Sequence, residues 1–593
     1  MADRDWQTLT TMFFDQAARH GDKPFLWAKQ AGKFAPLTWR EAADTANRLA
    51  RGLHALGVRP GDRVVLASEN RPEWLIADIA IMAAGAITVP ANTTNTVGDH
   101  LHILNNSGAM AAIASSRQIA DRMIPAAQKA AAARFVVTVD ALSTNQTTVD
   151  RHGWDEVLAM GDGAPDNVAD TVAEAKRRDV ACIIYTSGTG GAPKGVMLSH
   201  GAILSNCTGA YDLLLQLGLD EEVFLSFLPL SHSYEHTAGQ FFPIYIGAEI
   251  YYAESIDQLM PNMAEARPTL MTAVPRLYEM AHLRIRREID RIGGIKAKLF
   301  NATLALGRKK VLGEERLSPL ERIEDRALDL LVRRKIRARF GGRLKGFVSG
   351  GAALNPDIGL FFTSLGVNLY QGYGQTESAP VISCNPPDKV KLETVGPPLA
   401  GVEVKIAEDG EILVRGELVM DGYWNDEAAT REAIRDGWLH TGDVGSVDEE
   451  GYIRITDRKK DIIVNSGGDS ISPQRIEGML TMEPEIAQAM VCGDGKPHLV
   501  ALIVPDPEFV HEWARKTGRK GAMEETVQDP AFRKAIRDGV DRVNGRLAVI
   551  ERVRKFDLLA EPFSIENRLM TATLKLRRYK ILAAHGDRIA ALY

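Results

Sequence analysis

The sequence predicts an α/β protein with a large N-terminal domain and a smaller C-terminal domain. Its 593 residues are several times the size that one hydrophobic core usually serves. Short apolar strands alternate with amphipathic helices along the first two thirds of the chain, which is typical of a parallel sheet covered by helices. From about position 401 the pattern changes to short strands joined by glycine turns. We therefore expect a large domain over 1–458, whose segment 401–458 is a small antiparallel, barrel-like subdomain, and an α+β domain over 461–593.

The first elements illustrate this alternation. Thr38 stands three residues before Glu41 and precedes apolar positions at helical spacing up to 58, which predicts a capped amphipathic helix. A strand over 63–68, a helix over 73–84 and a strand over 86–90 follow, and further strands are expected at 111–115 and 134–140. This order of strand, helix and strand favours parallel pairing.

Composition excludes several classes of protein. Apolar residues make up 45% and charged residues 25% of the chain, as in ordinary globular proteins. The net charge of -6 and the pI near 6.2 argue against a nucleic-acid partner. The four cysteines are widely separated, which indicates a reducing compartment without structural zinc. The N-terminus lacks a secretory signal, and no apolar run reaches the roughly 18 residues of a membrane span. We expect a cytoplasmic protein.

A stretch rich in glycine and hydroxyl groups follows the apolar run 180–184. Its glycines allow the backbone to approach a phosphate closely, and its hydroxyls and lysine can bind one. It lacks the glycine and lysine spacing of the Walker and dinucleotide motifs. The stretch is therefore either a different phosphate-binding loop or a flexible surface loop. The residues concerned are Thr186, Ser187, Gly188, Thr189, Gly190, Gly191 and Lys194.

Two further strand ends carry small or polar residues. One is at 349–352, and the other is at 371–377. Together with 185–195 they predict a ligand crevice at the carboxyl edge of one parallel sheet. His232 ends another apolar strand, and it is either a structural histidine or part of this crevice.

Residues 281–345 form a basic region with nineteen Lys/Arg and eight Asp/Glu, a balance of +11. Apolar residues at 320, 323, 327, 330 and 331 predict one helical face within it. The region is interpreted either as a solvated basic helix or as a surface for an anionic membrane or an anionic substrate tail.

Four motifs, taken together, resemble the adenylate-forming superfamily of acyl-CoA synthetases, nonribosomal adenylation domains and beetle luciferase. The segment 186–195 is similar to its phosphate loop T-S-G-T-T-G-x-P-K-G, with Gly190 in place of the second threonine, and 373–377 is similar to Y-G-x-T-E. The segment 441–443 resembles the ribose motif, and 457–460 resembles the hinge motif. The resemblance covers nearly the whole chain.

Within this superfamily the chain resembles the long-chain fatty acyl-CoA synthetases. Typical patterns of that branch occur at 228–235, 274–279 and 349–354. Near the C-terminus, 571–578 resembles T-P-T-x-K-x-K-R, with Ala572 in place of the proline. This match implies that Lys575 is the catalytic lysine.

The resemblance implies a fold and a reaction. The large domain would contain two αβα-type sheets, and the C-terminal domain would be mobile about a hinge at Lys460. The enzyme would use ATP and Mg²⁺ to convert a fatty acid into acyl-AMP and then, with CoA as co-substrate, into acyl-CoA. The alternatives are a fatty acyl-AMP ligase that feeds a carrier protein, an aryl-CoA ligase, and an inert nucleotide-binding relative. The expected partners are these small molecules and, through 281–345, a membrane surface, and the oligomeric state is left open between monomer and homodimer.

The resemblance also implies roles for individual residues. Lys575 would contact the α-phosphate and the carboxylate, Glu377 and Thr186 would bind Mg²⁺, and His232 would line the acyl and pantetheine passage. Gly467 and Gly468 would approach the thiol path after domain rotation. The residues 187–191 would bind the β- and γ-phosphates, and Tyr373 would provide a face for adenine. The remaining nucleotide-binding residues implied are Lys194, Gly351, Ala352, Gln371, Gly372, Gly374, Thr376, Asp443 and Arg458.

Overall fold

Two large β-sheets form most of the N-terminal part of the computed structural model. The structure describes residues 5–141, 148–186, 192–313, 316–518, 523–571 and 575–593. Within these ranges each of the two sheets has eight strands, most of them parallel. In spatial order the first sheet contains Val381–Cys384, Leu369–Gly374, Gly346–Ser349, Leu270–Ala273, Val223–Ser226, Glu249–Tyr252, Pro24–Gln30 and Lys33–Thr38. The second contains Gly422–Tyr423, Lys194–Ser199, Val180–Thr186, Ile87–Ala91, Arg63–Ala67, Ala111–Ala114, Phe135–Thr138 and Asp150–Gly153.

Helices fill the space between the two sheets and cover their outer faces. The helix Pro72–Ala83 contacts strands of both sheets, and all of its residues from 74 to 83 are buried. A helix that is apolar all round is stable only in such a fully enclosed position. The preceding helix begins with the predicted capping box, in which Thr38 and Glu41 each satisfy the other's backbone N–H. The described helices of the N-terminal part are Leu9–His20, Trp39–Ala55, Pro72–Ala83, Val97–Ser107, Arg117–Lys129, Trp154–Gly163, Val168–Glu174, His200–Leu214, Phe242–Ile246, Leu259–Ala266, Pro275–Ile292, Gly294–Leu312, Pro319–Leu328, Arg334–Arg339, Pro356–Ser364 and Glu427–Ala433.

Shorter helical segments of other types interrupt this pattern. The π-helical segments are Glu235–Phe241 and Asp329–Arg333, and the 3₁₀ segments are Leu215–Leu217, Thr376–Ser378 and Val549–Glu551. Among the described helices, none combines the length and the apolar character that crossing a membrane requires.

The predicted change near 401, from alternating strands and helices to short strands joined by turns, corresponds to a third, antiparallel sheet. Its strands are Glu403–Ile406, Glu411–Arg415, Trp438–Val447, Ile434–Arg435 and Ile453–Arg458. This curled sheet agrees with the barrel-like subdomain that the sequence predicts.

The C-terminal region has a hydrophobic core of its own. Three strands form its main sheet, Ile486–Cys492, Leu499–Pro505 and Val553–Leu558, and a short pair is formed by Ile463–Val464 and Ser470–Ile471. Its described helices are Pro473–Leu480, Pro507–Thr517, Met523–Thr526, Pro530–Asn544 and Arg578–Ala590. The mixture of helices and strands agrees with the predicted α+β architecture.

One topological prediction is wrong. The strand that leads to 185–195 belongs to the second sheet, whereas the strands that end at 349 and 374 belong to the first. The crevice therefore lies between two sheets and not at the edge of one. Apolar strands followed by glycines look alike in either sheet, so their sequences do not indicate which strands will pair.

Candidate active site

A large cavity of about 1550 Å³ lies where the ends of these strands meet the C-terminal region. Its walls come from both eight-stranded sheets, from the third sheet and from residues within 565–571 and 575–580. The predicted site residues that line it are Thr186, Lys194, His232, Gly351, Gly372, Tyr373, Gly374, Thr376, Glu377, Arg458, Lys460 and Lys575. Predicted site residues that are far apart in the sequence thus line the same cavity.

A second cavity of about 1530 Å³ adjoins the first. Ala352, Gln371 and Asp443 line this second cavity only, whereas Tyr373, Arg458 and Lys575 line both. The two cavities are therefore compartments of one site, with these three side chains at their junction.

A hydrogen-bonded chain of three side chains stands at this junction. The hydroxyl of Tyr373 donates to Oδ2 of Asp443 at 2.7 Å, and Nε of Arg458 donates to Oδ1 of the same carboxylate at 3.1 Å. Burial raises the pKa of Tyr373, and the charge of Asp443 raises it further. Tyr373 therefore stays a neutral donor, and its ring is held in place at the cavity wall.

Glu377 is held by a residue that the sequence analysis did not identify. The hydroxyl of Tyr423 donates to Oε1 of Glu377 at 2.9 Å, and the ammonium of Lys194 lies 5.0 Å from the centre of the Tyr423 ring. Tyr423 reaches this place because the strand Gly422–Tyr423 pairs with Lys194–Ser199. No local motif marks Tyr423, since the pairing joins distant parts of the chain.

Lys575 lies beside Thr571 at the edge of the cavity. The backbone N–H of Thr571 donates to the carbonyl of Lys575 at 2.8 Å, and the N–H of Lys575 donates to Oγ1 of Thr571 at 3.1 Å. The Lys575 side chain is exposed to the cavity, whose walls are protein. Partial desolvation by these walls lowers the pKa of Lys575 to about 8, with a smaller contribution from Arg458 in the same direction. Part of the lysine population is therefore neutral just above physiological pH.

His232 lines the same cavity and is neutral. Burial lowers the pKa of His232 to about 4, and the charge of Lys575 lowers it further. The N–H of Tyr234 donates to Nδ1 of His232 at 3.3 Å, so the ring proton resides on Nε2. Lys575 and His232 line the same cavity, so the C-terminal region reaches the site formed by the N-terminal part.

Lys459 and Lys460 have different surroundings. The ammonium of Lys459 binds Asp409 at 2.5 Å and Glu411 at 3.1 Å, which fixes it to the third sheet. Lys460 is exposed and lines both cavities. The predicted hinge thus directly follows a tightly held residue.

Gly467 and Gly468, which were expected to approach the thiol path, are not part of this arrangement. Both glycines are exposed and line neither cavity, in a turn held by Asn465. The predicted phosphate-binding residues Ser187, Gly188, Thr189, Gly190 and Gly191 lie outside the described residues.

The acidic groups in the described part of the chain do not form a complete metal-binding cage of His, Cys, Asp or Glu. Oε2 of Glu377 has no hydrogen-bond partner among the described residues, and Thr186 offers a hydroxyl in the same cavity. One carboxylate with hydroxyl and phosphate oxygens is the type of donor set that Mg²⁺ takes when it binds together with a nucleotide. The residues present therefore fit a cation that takes most of its ligands from a polyphosphate and water.

Comparison with known proteins agrees with this geometry. The profile of the AMP-binding enzyme family matches residues 13–424, and that of the AMP-binding enzyme C-terminal domain matches residues 460–593. The chain is 34% identical to the long-chain-fatty-acid–CoA ligase FadD15 of Mycobacterium bovis, over 95% of this chain and 93% of that protein. It is 31% identical to the peroxisomal long chain acyl-CoA synthetase 6 of Arabidopsis thaliana, over 95% of this chain and 82% of that protein.

Solved structures share the fold at lower identity. The adenylation domain of a carboxylate reductase from Mycobacterium chelonae superposes with a TM-score of 0.78 at 22% identity, covering 99% of this chain and 91% of that one. The anthranilate CoA ligase AuaEII superposes with a TM-score of 0.70 at 20% identity, covering 98% of this chain and 97% of that one. The family profiles match most of the chain, and we conclude that this protein belongs to the AMP-binding enzyme family.

Proposed function

We propose that this protein is an AMP-forming ligase that converts long-chain fatty acids into their CoA thioesters. In the first half-reaction a carboxylate oxygen attacks the α-phosphorus of ATP and expels pyrophosphate. In the second, the sulfur of CoA attacks the acyl carbonyl, the thiol gives up its proton, and AMP leaves. The long-chain substrate is supported by relatives that are named long-chain-fatty-acid–CoA ligases or long chain acyl-CoA synthetases.

The observation that supports this proposal most strongly is the shared cavity. Lys575 of the C-terminal region, Glu377 just after a strand of the first sheet, and Lys194 of the second sheet line it together. A carboxylate is already ionised at neutral pH, so the first half-reaction needs no general base. Its barrier comes from bringing an anion to a polyanion, and positive groups around the reacting phosphorus lower that barrier.

We assign the roles accordingly. Lys575 neutralises charge at the α-phosphate and the carboxylate, and Lys194 together with the loop 187–191 holds the outer phosphates. Tyr373 lies beside the adenine with Gly351 and Ala352. In this assignment Gln371, Gly372, Gly374 and Thr376 complete the nucleotide-binding wall.

The carboxylate of Asp443 is the acceptor for the ribose hydroxyls. In the described structure it is oriented by Tyr373 and Arg458, so it is preorganised to accept hydrogen bonds from both hydroxyls of the sugar. Bound ribose would share this carboxylate with its two protein donors.

Mg²⁺ would be held by Glu377 and Thr186, and it supplies positive charge at the phosphate oxygens when bound. Tyr423 keeps one oxygen of Glu377 engaged, which leaves the other oxygen for the cation. His232, a neutral Nε2–H donor in the same cavity, is proposed to line the passage of the acyl group and the thiol.

The second half-reaction requires a different arrangement of the C-terminal region. An acyl adenylate is hydrolysed readily, so the site has to exchange its groups without opening to water. We propose that 1–458 and 461–593 are separate domains and that rotation at Lys460 withdraws Lys575 and brings Gly467 and Gly468 to the thiol path. The arrangement described here, with Lys575 in the cavity and both glycines outside it, corresponds to the adenylating state.

We also propose that the enzyme is cytoplasmic and contacts a membrane surface through the basic region 281–345. Long-chain fatty acids partition into bilayers, so an enzyme at the surface would meet its substrate there.

The experiment that tests this function supplies purified protein with ATP, Mg²⁺ and a panel of carboxylic acids, with and without CoA. We expect AMP and thioester to form together, with long-chain fatty acids preferred. AMP without thioester would instead identify an acyl-AMP ligase. Preference for aromatic acids would identify an aryl-CoA ligase, and absence of turnover with every acid would identify an inert relative.

A further inference from the structure

The apolar face predicted in the basic region points outward. The segments Pro319–Leu328, Asp329–Arg333 and Arg334–Arg339 follow one another as a continuous helix, which we call helix 319–339. Four of its apolar side chains are strongly exposed. The exposed fractions are 79% for Leu320, 66% for Ile323, 62% for Leu330 and 52% for Leu331. Ala327 is exposed as well, and we call these five residues the outer stripe.

The spacing of the outer stripe makes it contiguous. Residues three and four apart are neighbours on a helix surface, so 320, 323, 327, 330 and 331 form one apolar strip. The opposite side of the helix is buried, since Leu328 is enclosed and Val332 packs against the hydrophobic core. Single exposed apolar residues are common on protein surfaces, but a continuous strip of them indicates an interaction surface.

Polar contacts on the inner side fix this orientation. Nε of the buried Arg333 donates to the carbonyl of Ser364 at 2.8 Å, and its guanidinium binds Asp325 at 2.7 Å. Lys309 of the neighbouring helix binds Glu321 at 3.0 Å. Turning the outer stripe inward would break these contacts and expose the apolar inner side of the helix, so they hold the helix in the observed orientation.

Positive charge flanks the outer stripe. Arg322 and Arg326 lie along one side, Arg334 and Lys335 follow its end, and all four are exposed. Within the described part of the chain none of these four forms an ion pair with a carboxylate. Glu324 is the acidic neighbour on the other side. An apolar strip bordered by basic residues matches a bilayer that carries anionic headgroups, since the chains accept the apolar residues and the phosphates attract the cations.

We propose that the outer stripe is the surface by which this protein docks on an anionic phospholipid bilayer. A second copy of the chain fits less well, because pairing two such faces would bring their arginines together. Nucleic acid would leave the apolar side chains exposed to water. The purpose of docking rests on the proposed function, since membranes hold long-chain acids, whereas the surface itself is argued from exposure and charge alone.

The proposal is tested by sedimentation of the full-length protein with vesicles of phosphatidylcholine alone or mixed with phosphatidylglycerol. We expect the wild type to bind the mixed vesicles preferentially, and less strongly as salt increases. L320E/I323E should reduce binding to the mixed vesicles by at least about tenfold, because two inserted side chains become charged. R322Q/R326Q should weaken the preference for the anionic lipid.

The matched control is I256E/V549E, which adds the same charge at two exposed apolar sites outside the basic region, 56% and 61% exposed. It should bind vesicles as the wild type does. Equal loss in this control would overturn the proposal, as would failure of the wild type to bind either vesicle or equal binding to both. A wild-type dimer that L320E/I323E dissociates, without vesicle binding, would also overturn it and would make the stripe an interface between copies.

Ligase turnover on fatty acid presented by albumin, without vesicles, separates this proposal from the proposed function. L320E/I323E should retain turnover, which also shows that the variant is folded. Vesicle binding by a protein without turnover would refute the ligase function and leave the docking surface standing.

Discussion

Lys575 is the residue whose charge matters most to the proposed first half-reaction. It shares the cavity with Lys194 and Arg458, and three carboxylates, those of Asp443, Asp461 and Glu377, act on its pKa from nearby. Because protein groups line the cavity, a cation placed there acts more strongly on a phosphate than it would in bulk water. Two predictions follow from this position.

Lys575→Ala should lower the rate of adenylate formation by about two orders of magnitude, as expected for loss of one electrostatic group. Thioester formation from supplied acyl adenylate should largely survive, because the lysine has no role in that step. Pyrophosphate release and thioester formation, assayed separately, measure the two effects. Lys534→Ala, which removes a surface lysine of the same region, should change neither rate, and an equal loss in both half-reactions of Lys575→Ala would contradict the assignment.

The pKa of about 8 for Lys575 predicts a pH dependence. A lysine is charged below its pKa, so kcat/KM for adenylation should be level at lower pH and fall above pH 8 as the charge is lost, by about tenfold per pH unit. Lys575→Arg keeps its charge throughout this range. The descending limb should therefore disappear in Lys575→Arg, and an identical limb in that variant would assign the titration to another group.

At the scale of single elements, the helix Pro275–Ile292 of the N-terminal part contacts the C-terminal region. Its Arg287 binds Asp506 at 2.7 Å and Glu508 at 2.6 Å in the C-terminal region. Asp506 also caps the helix Pro507–Thr517 by accepting hydrogen bonds from two backbone N–H groups. The contact therefore joins two ordered elements, and it favours the arrangement in which Lys575 is inside the cavity.

Arg287→Ala should shift the balance away from the adenylating arrangement. A partly exposed ion pair contributes about 1 kcal/mol, which corresponds to roughly a fivefold change in an equilibrium. We expect adenylation to slow by about this factor and thioester formation from supplied acyl adenylate to be unchanged or faster.

The control for this prediction is Arg284→Ala on the same helix. Within the described residues Arg284 forms no ion pair with the C-terminal region, so both rates should stay at the wild-type level. If Arg287→Ala alters both half-reactions equally, the contact does not distinguish the two arrangements.

At the scale of the whole molecule, the proposed mechanism uses two placements of the C-terminal region. The ammonium of Lys459 is paired with Asp409 and Glu411 beside the third sheet, whereas Lys460 forms no ion pair with the described residues. A backbone rotation at Lys460 could therefore move everything beyond it as a unit without disturbing the nucleotide-binding wall.

Lys460→Pro should impair the second half-reaction and spare the first, which is the opposite of the pattern expected for Lys575→Ala. Proline restricts backbone rotation at this position, so adenylation should persist and thioester formation should be lost. Lys460→Ala removes the same side chain but keeps the backbone free, and it should retain both activities. Normal CoA-dependent turnover in Lys460→Pro would exclude Lys460 as the hinge.

Local features were predictable from the sequence because their causes are local. The capping box of Thr38 and Glu41 is present as predicted, and the apolar run 180–184 is part of the strand Val180–Thr186. The glycines and hydroxyls after strand ends indicated a ligand site, and their spacing indicated the family. Hydrogen bonding and steric freedom of neighbouring residues are sufficient to determine such features.

Features that depend on distant contacts were not predictable in this way. The pairing that brings Tyr423 to Glu377 joins strands whose sequences would suit several partners. The same ambiguity led to the wrong prediction of a one-sheet crevice.

The sequence by itself determined the family of this protein and which side chains of helix 319–339 share a face. Only the tertiary structure decided that Lys575 meets Glu377 in one cavity and that the outer stripe faces outward. Helical periodicity indicates that residues lie on the same side, but burial depends on what packs against them. Here Arg333, Leu328 and Val332 pack on the inner side of the helix, and the outer stripe is therefore exposed on the opposite side.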